Sequence, residues 1–537
     1  MPKPSSTYCT LADLPFELYS DILDYVPKHE LQKAAVGLIG AIPRSPVPRH
    51  YALRCVRLTY PGQIIRLYQR LRKEKEIVYL IETFLLETWN ADADSVVNVM
   101  KLLVKFGRTK EVRMFIGLNF TPEHVLEIFQ TPWADLKLLS LRFRPYVQRA
   151  TYYQFLAGAY FDSTLEALSK WPGEDCLLPK LSIIQDPIDS SLAPSNKFAQ
   201  PIVFFSLDPI QKLAVSQLAY EVKHLRIRIP ARRFTKFLHS APGSYPSLNL
   251  LDISTSHVAE ADVEAILGRF NKLEHLIMDG CGVISQRATM EDEERRALWV
   301  GLGKTMAIAG KKAARQREKK LKQWFEMIDL QHAMERSKIQ ENDQPVQPAR
   351  PAPRRRANKG RKGLATSTIS LRKTPPPRDS PRDYQGGTNS SITVPTRRIR
   401  IVAPQPRLLT VSLNAPVHRG TSNLSTVCDS IRADFEQGWA EGLSILARDR
   451  HQVKQSRQLG VQVFMFRHSC DSEDEDDEID TETGLQGLVE VQSEQDLSLR
   501  EDSCPVLCLA GTGQMDAEGH TEGCGHSMGW RVWDDEL

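Results

Sequence analysis

A short apolar pattern recurs in the middle of the chain at nearly constant spacing. Its form is apolar-x-x-Leu-x-apolar, and it occupies residues 222–227, 248–253 and 273–278, at offsets of 26 and 25 residues. A unit of this length cannot bury its apolar side chains alone, so each copy must pack against its neighbour. The pattern therefore predicts stacked units that share one core.

Earlier copies at residues 136–141 and 178–183, with a fainter one at 109–114, extend the pattern toward the N-terminus, and their offsets of 27, 42 and 44 residues imply long insertions. The spacing of the clear copies resembles that of leucine-rich repeats, in which each unit supplies one short parallel strand and one returning helix. Residues 261–267 have the apolar spacing of such a helix. We therefore expect an irregular α/β solenoid, with a conventional α/β domain of leucine-rich strands as the alternative.

The composition is that of a globular protein. Of the 537 residues, 41% are hydrophobic and 25% are charged, which excludes wholesale disorder and a fibrous protein. The net charge of +4 is too small to indicate nucleic-acid binding by itself. No run of about 18 apolar residues exists, and the first ten residues lack the apolar stretch of a signal peptide. The nine cysteines are scattered and odd in number, so we expect an intracellular soluble protein in the cytoplasm, the nucleus or both.

The N-terminal segment 11–27 has the pattern of a short amphipathic helix. Leu14, Leu18, Ile22 and Val26 recur at four-residue steps, and Pro27 ends the segment. An ordinary helix docked on its own domain would have the same periodicity.

The detailed pattern, Leu-Pro-x-Glu-Leu followed by Ile-Leu-x-x-Val-Pro and a further leucine, resembles the opening of an F-box, the helical module that binds the Skp adaptor of cullin-type ubiquitin ligases. The resemblance covers about 17 residues well and 40 loosely, and the tryptophan usual in the second half of the module is absent. It implies adaptor contacts by Leu14, Pro15, Glu17, Leu18, Ile22, Leu23, Val26, Pro27 and Leu31.

An F-box-like helix followed by degenerate leucine-rich repeats is the arrangement of many fungal F-box proteins, and this chain looks like one of them. The resemblance implies a non-catalytic substrate-recognition subunit. It would dock on the Skp-type adaptor and cullin scaffold, and would hold an unidentified protein substrate on the repeats. The alternative is a nuclear scaffold that uses the repeats without assembling a ligase.

A long basic amphipathic helix is predicted without a break over residues 291–337. Its charged face is typical of a solvated surface, although an acidic partner or a nucleic-acid backbone would also suit it. Gly303-Lys304-Thr305 is not a phosphate-binding loop, because Leu298 stands where that loop needs glycine and the motif lies inside the helical pattern.

The remaining sequence is expected to be largely disordered. Residues 341–426 are rich in proline, lysine and arginine, and residues 427–537 are expected to form a weakly structured tail with a helix from about 430 to 455, a short strand at 461–467 and an acidic tract at 471–482. A basic cluster has the form of a nuclear import signal; it comprises Arg354, Arg355, Arg356, Lys359, Arg361 and Lys362.

These features divide the chain into five parts: an F-box-like helical module (11–58), a helical linker with degenerate leucine-rich repeats (59–285), the basic helix (286–340), the basic segment (341–426) and the tail (427–537). The predicted fold class is α/β.

Metal-ligand residue types gather near the C-terminus. Cys504, Cys508, His520 and Cys524 are a weak zinc candidate with His526 nearby, although their spacing differs from that of ordinary zinc sites and unpaired thiols in a tail are the alternative. No motif places a nucleophile, a catalytic carboxylate pair or a dinucleotide loop. We therefore expect no enzyme activity and no cofactor.

Overall fold

The computed structural model describes residues 14–42, 47–144, 160–172, 177–187, 203–241, 243–282, 292–342, 398–414, 424–466, 487–500, 504–510 and 520–533. In this part of the chain, no helix is both long enough and apolar enough to cross a membrane.

The N-terminal helices form a small unit with its own core. They are α1 (Phe16–Asp24), α2 (Lys28–Ala41) and α3 (Arg49–Arg54). Their buried core consists of Tyr19, Leu23, Leu31, Ala35, Val47 and Tyr51. The Tyr51 hydroxyl donates to Asp24 Oδ1 at 3.0 Å, tying α3 to α1.

This unit joins a long parallel sheet directly, since α3 runs into the first strand. The strands are β1 (Cys55–Leu58), β2 (Thr83–Leu86), β3 (Glu111–Ile116), β4 (Leu138–Phe143), β5 (Lys180–Gln185), β6 (His224–Arg228), β7 (Leu250–Asp252) and β8 (His275–Ile277). Each pairs in parallel with the strand before it in the chain. The predicted boundary at 58/59 is therefore misplaced, because β1 belongs to the sheet.

Helices connect successive strands. They are α4 (Pro61–Lys73), α5 (Ala93–Phe106), α6 (Pro122–Phe129), α7 (Asp162–Leu168), α8 (Asp208–Ala214), α9 (Gln217–Glu221), α10 (Thr235–His239) and α11 (Glu260–Arg269). The apolar residues on one side of each strand face these helices and join them in the main core. One of them from each strand, paired in register with the next, forms an apolar row: Val56, Phe84, Val112, Leu139, Leu181, Leu225, Leu251 and Leu276. We call the opposite side of the sheet the polar face.

The repeat pattern coincides with these strands and begins earlier than the sequence showed. In register, Cys55 pairs with Thr83, Thr83 with Glu111, and Glu111 with Leu138, so the first three steps are 28, 28 and 27 residues long. The first two strands have Val56 and Phe84 where the clear copies have leucine, so the sequence pattern does not single them out. An ordered series of parallel strands is thus established for residues 55–277.

The second half of the chain departs most from expectation. The predicted single basic helix is two helices, α12 (Asp292–Ala307) and α13 (Ala309–Asn342), separated at Ile308. The predicted C-terminal helix is present and longer, as α14 (Leu424–Gln458). A second sheet of three strands contains β9 (Ile399–Ile401), β11 (Gln462–Phe466) and β12 (Leu488–Glu490).

Two further strands from this region complete the main sheet. β10 (Thr410–Ser412) pairs in parallel with β8, and β13 (Val506–Cys508) pairs with β10, giving ten strands among the described residues. The last helix is α15 (Gly525–Trp533). The interpretation of 398–414 as disordered and of 427–537 as a weakly structured tail is therefore wrong for the residues described. Strands of three residues carry no readable periodicity, and here they are stabilised by the edge that β8 offers.

Candidate functional site

The nine predicted adaptor-contact residues divide into three groups in the structure. Leu23 and Leu31 are buried in the core of the N-terminal unit, so they support its packing rather than face a partner. Leu14 and Val26 are half-buried against that core. The others are exposed: Pro15, Glu17, Leu18, Ile22 and Pro27.

The exposed residues include an apolar stripe on each of the first two helices. On α1, Leu18 is 42% exposed and Ile22 46%, and Tyr25, directly after the helix, is 89% exposed. Their three- and four-residue spacings place them on one side of the helix. On α2, Val36 is 55% exposed and Ile39 37%. We call these five residues the N-terminal apolar surface. Sequence reasoning missed Tyr25, Val36 and Ile39, because burial within so small a unit depends on how its helices pack.

A second group of partly accessible side chains lies on the polar face near β2, β3 and β4, where Trp89, Phe115 and Arg142 are half-buried and Arg144 is exposed. The ring of Trp89 stacks on Phe115 with centroids 4.6 Å apart. Arg142 lies over the Phe115 ring at 5.5 Å, and Arg144 lies over Trp89 at 5.5 Å. Tryptophan and arginine are the residue types that dominate binding energy in protein interfaces. We call these four residues the aromatic–arginine patch.

Helix α15 covers the other end of the polar face. Its Trp533 ring packs over the fully buried Arg226 of β6, with 4.6 Å between the guanidinium carbon and the ring centroid. Lys180 Nζ of β5 donates to the carbonyl oxygen of Val532 at 3.3 Å. The helix therefore lies across the polar face from β10, beside Gly525, to β5.

A cluster of cysteine and histidine side chains lies at the start of α15. One ligand atom from each of Cys508, His520, Cys524 and His526 lies within 4.8 Å of those from the other three. Cys508 ends β13, and Cys524 immediately precedes α15. The Nδ1–Sγ distances are 3.5 Å from His520 to Cys508, 3.7 Å from His520 to Cys524, and 3.4 Å from His526 to Cys508.

A buried carboxylate lies behind one of these histidines. His526 Nε2 is 2.8 Å from Asp279 Oδ2 and 3.0 Å from Oδ1. Burial acts to lower the pKa of His526, but its bonds to Asp279 and Cys524 prevail and raise the pKa to about 9. The hydrogen bond from the Cys508 thiol, aided by bonds from His526 and His520, lowers the pKa of Cys524 despite burial. The cluster thus favours a thiolate at Cys524, while the same hydrogen bond raises the pKa of the Cys508 thiol.

The structure changes one member of the predicted metal set. Cys504 packs against the main core with Leu507, away from the cluster, and burial raises its pKa to about 12. His526 takes its place. The spacing His520-x3-Cys524-x-His526 is the sequence feature that could have indicated this set. In it, Cys524 and His526 lie on either side of Gly525, the first residue of α15.

Three other sequence predictions have different outcomes. The basic cluster of Arg354, Arg355, Arg356, Lys359, Arg361 and Lys362 lies outside the described residues.

On the basic helices, Lys311 pairs with Asp449 at 2.5 Å and Lys312 with Glu264 at 3.2 Å. These pairs neutralise part of the charge that a nucleic-acid backbone would need. Gly303-Lys304-Thr305 lies within α12, as its helical pattern predicts.

Comparison with known proteins found no match to the chain, either among protein-family models or among curated protein sequences.

Proposed function

We propose that this chain is a non-catalytic substrate receptor of a Skp–cullin–F-box ubiquitin ligase, acting in the cytoplasm or nucleus. The N-terminal apolar surface carries the proposal. The unit of α1–α3 has its own buried core, yet it leaves Leu18 and Ile22 of α1 and the adjacent Tyr25 exposed in one line. Exposed apolar rows of this kind mark binding surfaces, and two of the three residues belong to the F-box-like pattern.

The sheet supports the second half of the proposal. Its strands follow chain order with steps of 25 to 28 residues wherever no insertion intervenes, as leucine-rich repeats require. In such repeats the face opposite the helices binds partners. The aromatic–arginine patch lies on that face and supplies the substrate contact.

The receptor would act by proximity alone. Holding a substrate near the ubiquitin-conjugating enzyme raises the effective concentration of its lysines, and the partners perform all covalent chemistry. No catalytic group is required of this chain.

The decisive experiment is co-purification of the full chain with the Skp adaptor. Replacing Leu18 and Ile22 together with aspartate should reduce adaptor binding at least tenfold, because burying each side chain contributes about 1.5–3 kcal/mol. The matched control replaces Leu118 and Leu126, which are 55% and 38% exposed on the main body, with aspartate. This control variant should bind the adaptor as well as the unchanged chain does.

Both variants should keep the circular dichroism spectrum and melting temperature of the unchanged chain, since the replaced side chains are exposed. Absence of binding by the folded, unchanged chain would contradict the ligase proposal and favour a scaffold. Equal losses in the two variants would also contradict it, because the effect would then be nonspecific.

A further inference from the structure

We propose that Cys508, His520, Cys524 and His526 bind one Zn²⁺ ion, and that this ion holds α15 against the polar face of the sheet. The proposal is independent of ubiquitin-ligase assembly.

The spacing of the ligand atoms matches tetrahedral zinc. With Zn–S near 2.3 Å and Zn–N about 2.05 Å, a sulfur and a nitrogen on one tetrahedral ion lie about 3.6 Å apart. The three sulfur–nitrogen distances in the cluster are 3.4, 3.5 and 3.7 Å. An ion can therefore enter with little movement of the side chains.

The ligand chemistry favours zinc in a structural role. Two thiolates with two imidazoles form a common structural zinc set, and four protein ligands leave no open position for a substrate or water. Cys508, Cys524 and His526 are buried, and His520 is half-buried beneath Trp530, with ring centroids 4.7 Å apart. The site is thus closed from most sides.

Asp279 positions His526 for binding. When Nε2–H of His526 donates to the carboxylate, the lone pair of Nδ1 points toward the sulfurs and is free to bind the ion. A carboxylate behind a metal-bound histidine is a recurrent arrangement that fixes the ring and strengthens the ligand. Asp279 itself is buried just after β8, so the bond also connects α15 to the main sheet.

The site explains how a helix of nine residues is held on the sheet. α15 comprises Gly525–Trp533, too short to be stable alone. Gly525 lets the helix lie close to β10, since a Cβ there would be 2.7 Å from Ser412 Oγ. The ion would connect the start of α15 to β13 through Cys508, and Trp533 would then stay over Arg226.

The test is the zinc content of the purified full chain, prepared without chelator, under reducing conditions and with any affinity tag removed. One zinc per chain is expected by elemental mass spectrometry. Cys524→Ser and His526→Gln should each lose most of it, while Cys504→Ser, the matched control, should retain it. Cobalt substitution should give the intense visible absorption of tetrahedral thiolate coordination.

Asp279→Asn should still bind one zinc per chain but about tenfold more weakly in competition with a chelator. An unchanged affinity would remove Asp279 from the proposal. Chelation of the unchanged chain should speed hydrogen–deuterium exchange in residues 520–533, because α15 would lose its attachment.

Substoichiometric zinc in the folded, unchanged chain, together with no cobalt spectrum, would overturn the proposal. So would a Cys508–Cys524 disulfide found by mass spectrometry in the protein as isolated from cells, or a zinc content that falls equally in Cys524→Ser and Cys504→Ser. The zinc content of the unchanged chain tests the zinc-site proposal even where a variant fails to fold.

Discussion

Arg228 and Asp252 form a buried ion pair between neighbouring strands on the polar face. The guanidinium donates through Nη2 at 2.6 Å and through Nε at 3.1 Å to Asp252 Oδ2. Asp252 Oδ1 also accepts from the backbone N–H of Ser254 at 3.0 Å. Burial acts to raise the pKa of Asp252, but Arg228 prevails and holds it below the ordinary value. Sequence pattern alone shows two polar residues on strands, without their pairing.

Asp252→Asn should lower the free energy of unfolding by about 3 kcal/mol, because it removes the charged partner from a buried ion pair. The control Glu166→Gln breaks an exposed pair with Lys212 and should cost less than about 1 kcal/mol. Urea titration at pH 7 measures the free energy of unfolding of both variants. Equal losses of stability in Asp252→Asn and Glu166→Gln would contradict the buried-pair argument.

The same pair has a defined pH dependence. Because the folded-state pKa of Asp252 lies below its unfolded value of 3.8, the stabilisation is present above about pH 4 and is lost as the pH falls through the folded pKa. The difference between the unchanged chain and Asp252→Asn should therefore shrink only at strongly acidic pH.

At the scale of elements, α12 and α14 pack with their backbones unusually close. A Cβ at Gly303 would overlap the carbonyl oxygen of Phe435, and one at Gly438 would overlap that of Val300. A Cβ at Gly442 of α14 would lie 2.5 Å from the Cβ of Ala307 on α12. The glycine of the rejected Gly-Lys-Thr motif thus has a packing role. Helical periodicity predicted both helices but could not show that their glycines face each other.

Gly303→Ala should destabilise the protein by about 1–3 kcal/mol, because the added methyl group must push α14 away. Gly301→Ala is the matched control on the same helix, since nothing lies within 4 Å of its Cβ position. The control should be neutral or stabilising by up to about 1 kcal/mol through helix propensity. Thermal unfolding compares them, and a Gly303→Ala variant as stable as the control would refute the close contact.

At the scale of the whole molecule, the C-terminal third completes the parallel sheet that residues 55–277 begin. β10 and β13 cover the open edge of β8. Ile431, Phe435 and Trp439 of α14 join the main hydrophobic core beside Trp299 of α12. An exposed strand edge beside an uncovered apolar helix favours aggregation. These segments therefore belong to the folded body.

A chain truncated after residue 342 should be insoluble or aggregate on purification, because it loses β10, α14, β13 and α15 together. Removing residues 1–45 is the comparison at the other end. It deletes α1 and α2, which centre on a separate core, and should leave a soluble protein with a cooperative unfolding transition. Size-exclusion chromatography and calorimetry test both, and a soluble, cooperative 1–342 chain would contradict the assignment.

The sequence by itself determined the elements whose information is local. Apolar residues three or four apart predicted the N-terminal helix and α14, because a helix face imposes that spacing. A recurring apolar pattern predicted the strands from β3 to β8, because each strand of the sheet presents apolar side chains to the same helical layer. The tertiary structure decided the rest. β10 and β13 have three residues each, and their partner edge comes from another part of the chain. His526 meets Asp279 across 247 residues, a separation at which no sequence spacing constrains the pair, so only folding could select His526 over Cys504.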